Sequence, residues 1–145
     1  MKILVPTDGS KYAEAALAVA VDLVKTKGGD LCLISVATAL EEFELELSAG
    51  SRESLRKEFE TRATKVIAAA AAAAAAAGVT VSCKSETSAT SVPDAIVEFA
   101  EQQGVDLIVM GTHGLSASSR FRMGSVASKV VRHAPCSVYV VKTKA

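Results

Sequence analysis

Short runs of branched apolar residues recur along the chain, and each pair is separated by a stretch with helical spacing. The runs predict strands over Lys2 to Val5, Leu31 to Ala37, Val79 to Lys84, Val105 to Met110 and Ser137 to Lys142. Runs this short and this rich in Val, Ile and Leu suit strands covered on both faces. Between the first two, Ala13, Ala16, Leu17, Ala20, Leu23 and Val24 recur every three or four residues, as a helix with one apolar face requires. Ser10 is placed to cap that helix and Gly28-Gly29 to end it. Leu55, Phe59, Val66 and Ile67 mark the inner face of a longer helix ending at Gly78. Ser91-Val92-Pro93-Asp94 opens a third helix with proline in its first turn, and Ile96, Phe99 and Ala100 face inward before Gly104 stops it. Gly124 or Ser125 starts a fourth, with Val126, Val130 and Val131 on one side. Strands alternating with helices demand a parallel sheet covered on both faces and joined by right-handed crossovers. The fold class is therefore α/β, doubly wound, in one domain over residues 1–145.

Two stretches stand apart from this alternation. Thr38 to Gly50 is acidic, with Glu41, Glu42, Glu44 and Glu46 around Phe43, Leu45 and Leu47, and reads as a variable, partly helical excursion. Ala68 to Ala77 is an unbroken run of alanine, the best helix former, and offers no side-chain chemistry.

Composition narrows the function. Only 4% of residues are aromatic and none is Trp, so the core must be aliphatic. Lys plus Arg number 16 and Asp plus Glu 16, giving a formal net charge of zero. Such a chain has no overall electrostatic pull toward nucleic acid or anionic lipid, and neither is expected as a partner. Cys32, Cys83 and Cys136 are far apart and form no zinc spacing; they read as buried small thiols. The apolar stretch before Pro6 is too short for a signal peptide, and no run could span a membrane. These features predict a cytoplasmic protein with reduced thiols.

In a doubly wound sheet, ligands bind beyond the carboxyl ends of the strands, where strand order reverses. The loop after the fourth strand carries Gly111-Thr112-His113-Gly114, then nine residues, then Gly124-Ser125 at a helix start. Glycines let backbone approach a phosphate, and a helix N-terminus offers N–H groups and a positive dipole. Together they make a two-part anion cradle, with Arg120 and Arg122 in the segment between.

The spacing G-x2-G-x9-G-[S/T] at Gly111, Gly114, Gly124 and Ser125, the opening ILVPTDGS and the closing VVRHAPCSVYVVK resemble the universal stress protein family, in its ATP-binding branch, over essentially the whole chain. The resemblance implies a five-stranded parallel sheet of order 3-2-1-4-5 and a nucleotide, ATP or else ADP or AMP, in the switch-point cleft. It places Pro6, Thr7 and Asp8 along the adenine and ribose, and Val36 against the base. Met110, Gly111, His113 and Gly114 would flank ribose and phosphates, and Gly124, Ser125 and Val126 would hold the phosphates. Magnesium would accompany the phosphates. The segment Leu115 to Met123 is more basic than the family pattern, and Ser137 stands where a proline is expected.

Some residues admit two roles. Asp8 fits a ribose or metal contact and equally a turn or capping acid. His113 fits a phosphate or ribose contact, or a plain loop position. Arg120 and Arg122 fit phosphate clamps, though solvated loop arginines are the commoner case. His133 suits the negative end of a helix. Ser125 lacks a His/Asp partner pattern and is not a nucleophile, and no general base for hydrolysis is evident. The last strand, Val138 to Lys142, is apolar and should lie at a sheet edge, where a two-fold partner would cover it as a homodimer.

The predicted function is a regulatory protein that binds an adenine nucleotide, with at most slow hydrolysis. The alternative is a relative without nucleotide binding that acts through dimerisation. ATP pyrophosphatases need a Ser/Gly-rich phosphate loop that PTDGS does not supply. Phosphotransfer receivers need clustered acids beside Asp8, and flavodoxin-like carriers need aromatics, which are scarce in this chain.

Overall fold

The computed structural model describes residues 1–38, 49–89, 91–113 and 123–143. Its elements run β1 (Lys2–Pro6), α1 (Lys11–Lys27), β2 (Asp30–Thr38), α2 (Ala49–Ala76), β3 (Val81–Ala89), α3 (Val92–Gln103), β4 (Leu107–Gly111), α4 (Ser125–His133) and β5 (Ser137–Val141). The strands form one parallel sheet in the order β3-β2-β1-β4-β5. The doubly wound class and the strand order therefore stand as expected.

Each face of the sheet has its own core. On one face, Ile3, Val5, Leu31 and Leu33 pack against Leu17, Ala20 and Val21 of α1 and Ile67 and Ala74 of α2. On the other, Leu4, Ile34, Ile108 and Met110 meet Ile96 and Ala100 of α3 and Ala127 and Val130 of α4. Fully burying an aliphatic side chain of this kind stabilises by about 1.5–3 kcal/mol. The alanine run obeys the same geometry: Ala74 is buried and Ala70 and Ala71 pack partly, continuing the stripe from Ala63 and Ile67. Alanine lets α2 lie close to β2 there.

Two strand starts differ from expectation, for one reason. Val79 is not in β3. Its N–H donates to Ala74 C=O (2.9 Å), and the N–H of Gly78, at φ 90°, donates to Ala75 C=O (2.9 Å). This is a Schellman cap, in which the apolar residue after the glycine packs back on the helix. Val105 does the same to Ala100 C=O (3.0 Å) behind Gly104, so β4 begins at Leu107. An apolar residue after a helix-ending glycine thus looks like strand and belongs to the cap. β3 also runs on to Ala89, through a polar stretch, because it is an edge strand and needs no continuous apolar pattern.

On α4, Val131 is 46% exposed, and Ala127 takes the buried place instead. Of the cysteines only Cys32 is fully buried; Cys83 and Cys136 are half-buried. Most of the acidic excursion, over residues 39–48, lies outside the described residues, and its last two residues begin α2. No described helix is long and apolar enough to cross a membrane.

Candidate functional site

β1 ends at Pro6, and the next four residues are ordered by their own hydrogen bonds. The Thr7 N–H donates to Ile34 C=O (2.9 Å), tying the turn to β2. Asp8 Oδ1 accepts from the Ser10 N–H (2.9 Å), and Thr7 Oγ1 accepts from the Gly9 N–H (3.3 Å). Ser10 Oγ accepts from the Ala13 N–H (3.2 Å) and caps α1 as expected. Asp8 thus performs the turn role foreseen for it, while standing at the crevice above the sheet.

Across the switch point, β4 delivers Met110 and Gly111. A β-carbon on Gly111 would fall 2.7 Å from Tyr12 Cβ and 2.8 Å from Tyr12 O. Glycine is required here because α1 seats its backbone against the end of β4. Beyond it, His113 Nδ1 pairs with Thr112 Oγ1 (2.9 Å), and the imidazole leans on the Tyr12 ring, centroids 5.4 Å apart at 48°. The opposite ring nitrogen, Nε2, is buried and has no hydrogen-bond partner among the described residues. A buried polar atom without a partner is costly, so a group that meets it is favoured.

The second half of the cradle begins where the Gly124 N–H donates to Thr112 C=O (2.7 Å). A β-carbon on Gly124 would crowd that oxygen at 3.1 Å and His113 Cα at 3.3 Å. Gly124 caps α4 without a side-chain hydrogen bond, and the first bond within the helix is the Ser128 N–H to Gly124 C=O (2.9 Å). The N–H groups of Ser125, Val126 and Ala127 therefore have no acceptor within the helix, and the helix dipole adds positive potential there.

These pieces line one cavity of about 610 Å³ over the carboxyl ends of β1, β2 and β4. Pro6, Thr7, Asp8, Val36, Met110, Gly111, His113, Gly124, Ser125 and Val126 all border it. Gly114, Arg120 and Arg122 lie outside the described residues. Val36 lies two residues before the end of β2 at Thr38.

One wall of the cavity does not stand out as a wall in the sequence. Phe59, Arg62, Ala63 and Val66 of α2 border the same cavity. Phe59 and Val66 stand out in sequence as an apolar stripe, which reads equally well as core. What reveals the wall is that α2 covers β2 and β3 and its stripe reaches the turn after β1, where Val66 Cγ2 lies 3.2 Å from the place of a β-carbon on Gly9. Val92 and Ile96 of α3 complete the apolar side. The cavity thus has apolar walls, a carboxylate at Asp8, an imidazole at His113, and a helix N-terminus beside Ser125. Apolar walls suit a base, and the donors suit an anion. No group of three or more His, Cys, Asp or Glu that could hold a metal occurs among the described residues.

Comparison with known proteins agrees with this architecture. The family model described as the universal stress protein family matches residues 1–142. A putative universal stress protein of Staphylococcus haemolyticus is 37% identical over 153 residues, covering 98% of this chain and 84% of its own. Among solved structures, hypothetical protein MJ0577 is similar with a TM-score of 0.81 at 29% identity, covering 99% of this chain and 96% of its own. A universal stress protein solved in complex with cAMP is similar with a TM-score of 0.74 at 26% identity, covering 99% of this chain and 98% of its own.

Proposed function

The chain belongs to the universal stress protein family, and on that premise we propose that it binds an adenine nucleotide in the cavity above β1 and β4 and works as a regulatory protein whose nucleotide state a partner reads. One observation carries this reading. Loops and elements far apart in sequence bring an apolar wall and a helix N-terminus to a single cavity at the switch point. The related protein solved with cAMP supports the adenine assignment. The buried His113 Nε2, without a hydrogen-bond partner among the described residues, supports a polar ligand beside it.

ATP is the leading ligand, with ADP and AMP as the shorter alternatives. Val36, Ile34 and the α2 stripe would enclose the base. Thr7 and Asp8 would take the ribose, or Asp8 would help hold a magnesium ion on the phosphates. His113, Gly124, Ser125 and Val126 would meet the phosphates. The chain holds the nucleotide and turns it over slowly at most. The exposed edge of β5, where Tyr139 is 48% exposed, supports a homodimer formed through Val138 to Lys142.

Protein purified without added nucleotide and then denatured should release ATP, ADP or AMP near one per chain, by chromatography and mass spectrometry. The Gly124→Val variant should release far less. A protein that releases none and takes up none when supplied would leave the dimerisation module as the function.

A further inference from the structure

β3 is the outer strand beside β2, and its register sets Cys83 directly opposite Cys32. Both side chains belong to the cluster beneath α3 and α4. Neighbouring strands run about 4.8 Å apart, within the roughly 4.4–6.8 Å that a disulfide spans between α-carbons. The pairing is irregular at this point: Val81 faces Leu31, Cys83 faces Cys32, and Ser82 is the extra residue. Ser82 Oγ donates to Leu31 C=O (3.2 Å) and lies 3.9 Å from Cys32 Sγ. A bulge on an edge strand permits a local shift without disturbing the rest of the ladder. Cys32 is 0% exposed, whereas Cys83 is half-buried on the open edge.

We propose that Cys32 and Cys83 form a reversible dithiol–disulfide site, separate from the nucleotide cavity, that exchanges with low-molecular-weight disulfides. The Cys83 thiolate attacks one sulfur of the small disulfide, forms a mixed disulfide and expels one small thiolate. Cys32 then loses its proton and attacks the Cys83 sulfur. The Cys32–Cys83 bond forms, the second small thiolate leaves, and the two protons released by the protein end on the two small thiols. Two protein thiols are oxidised and one external disulfide is reduced, so electrons balance. Burial, then the neighbouring Cys83, raises the Cys32 thiol above its ordinary value. Cys32 is therefore a poor first nucleophile and acts only on the sulfur already beside it. The product is a covalent tie between the edge strand and β2.

The test uses the whole reduced chain, incubated with oxidised glutathione, quenched in acid, alkylated under denaturing conditions and measured by intact mass and peptide mapping. Alkylatable thiols at Cys32 and Cys83 should both be lost, with a cross-linked peptide joining them and reversal by dithiothreitol. Cys136→Ser should keep the cross-link, and Cys83→Ser, an edge change that spares the buried Cys32, should abolish it. A glutathione adduct that persists on Cys83, a Cys83–Cys83 bond between chains, or two unmodified thiols would each overturn the proposal.

Discussion

Gly111 and Gly124 belong to the same loop and are glycine for different reasons. Both read from sequence as places where backbone approaches a phosphate. At Gly111 the space a side chain would need is filled by Tyr12, both its Cβ and its backbone carbonyl, so the residue serves the seating of α1 on β4. That reason is hidden in sequence because Tyr12 lies at the other end of the chain. At Gly124 the crowding comes from Thr112 and His113, within the cradle itself. Gly111→Ala should therefore destabilise the fold by about 3 kcal/mol, the upper part of the usual range for overpacking. A urea midpoint measured with and without nucleotide checks this; an unchanged midpoint would show that α1 is not seated as described. His113 is the opposite case. Its place in the motif was legible, but the contact with Tyr12 and the buried Nε2 exist only in three dimensions.

At the scale of elements, sequence pattern located each strand and helix and erred at junctions. Val79 and Val105 look like strand because they are branched and apolar, yet each closes a helix cap. The polar half of β3 was missed because an edge strand can be polar. The α2 wall of the cavity was missed because a stripe on a helix does not announce which end overhangs the sheet. The strand order that the family resemblance implies puts β5 at an edge, and it is there. The proposed homodimer follows from that edge. In an antiparallel two-fold pairing, a residue near the axis meets its own copy, and like charges there repel. Tyr139→Glu should raise the dimer dissociation constant at least tenfold, about 1.4 kcal/mol, by sedimentation equilibrium. A wild-type monomer, or a variant as dimeric as wild type, would count against β5 as the interface.

For the whole molecule, strand–helix alternation was enough to reach a doubly wound sheet, and family resemblance supplied its order. The order matters because it puts the turn after β1 beside the end of β4, and only there do Thr7, Asp8, His113 and the start of α4 share one cavity. Calorimetric titration with Mg-ATP, ADP and AMP tests most directly whether this cavity takes an adenine nucleotide. The account predicts binding near one per chain in wild type. It predicts a roughly tenfold weaker affinity in His113→Ala, the cost of one hydrogen bond to a charged group, with an unchanged circular dichroism spectrum. A folded wild-type protein that binds none of the three nucleotides would contradict it.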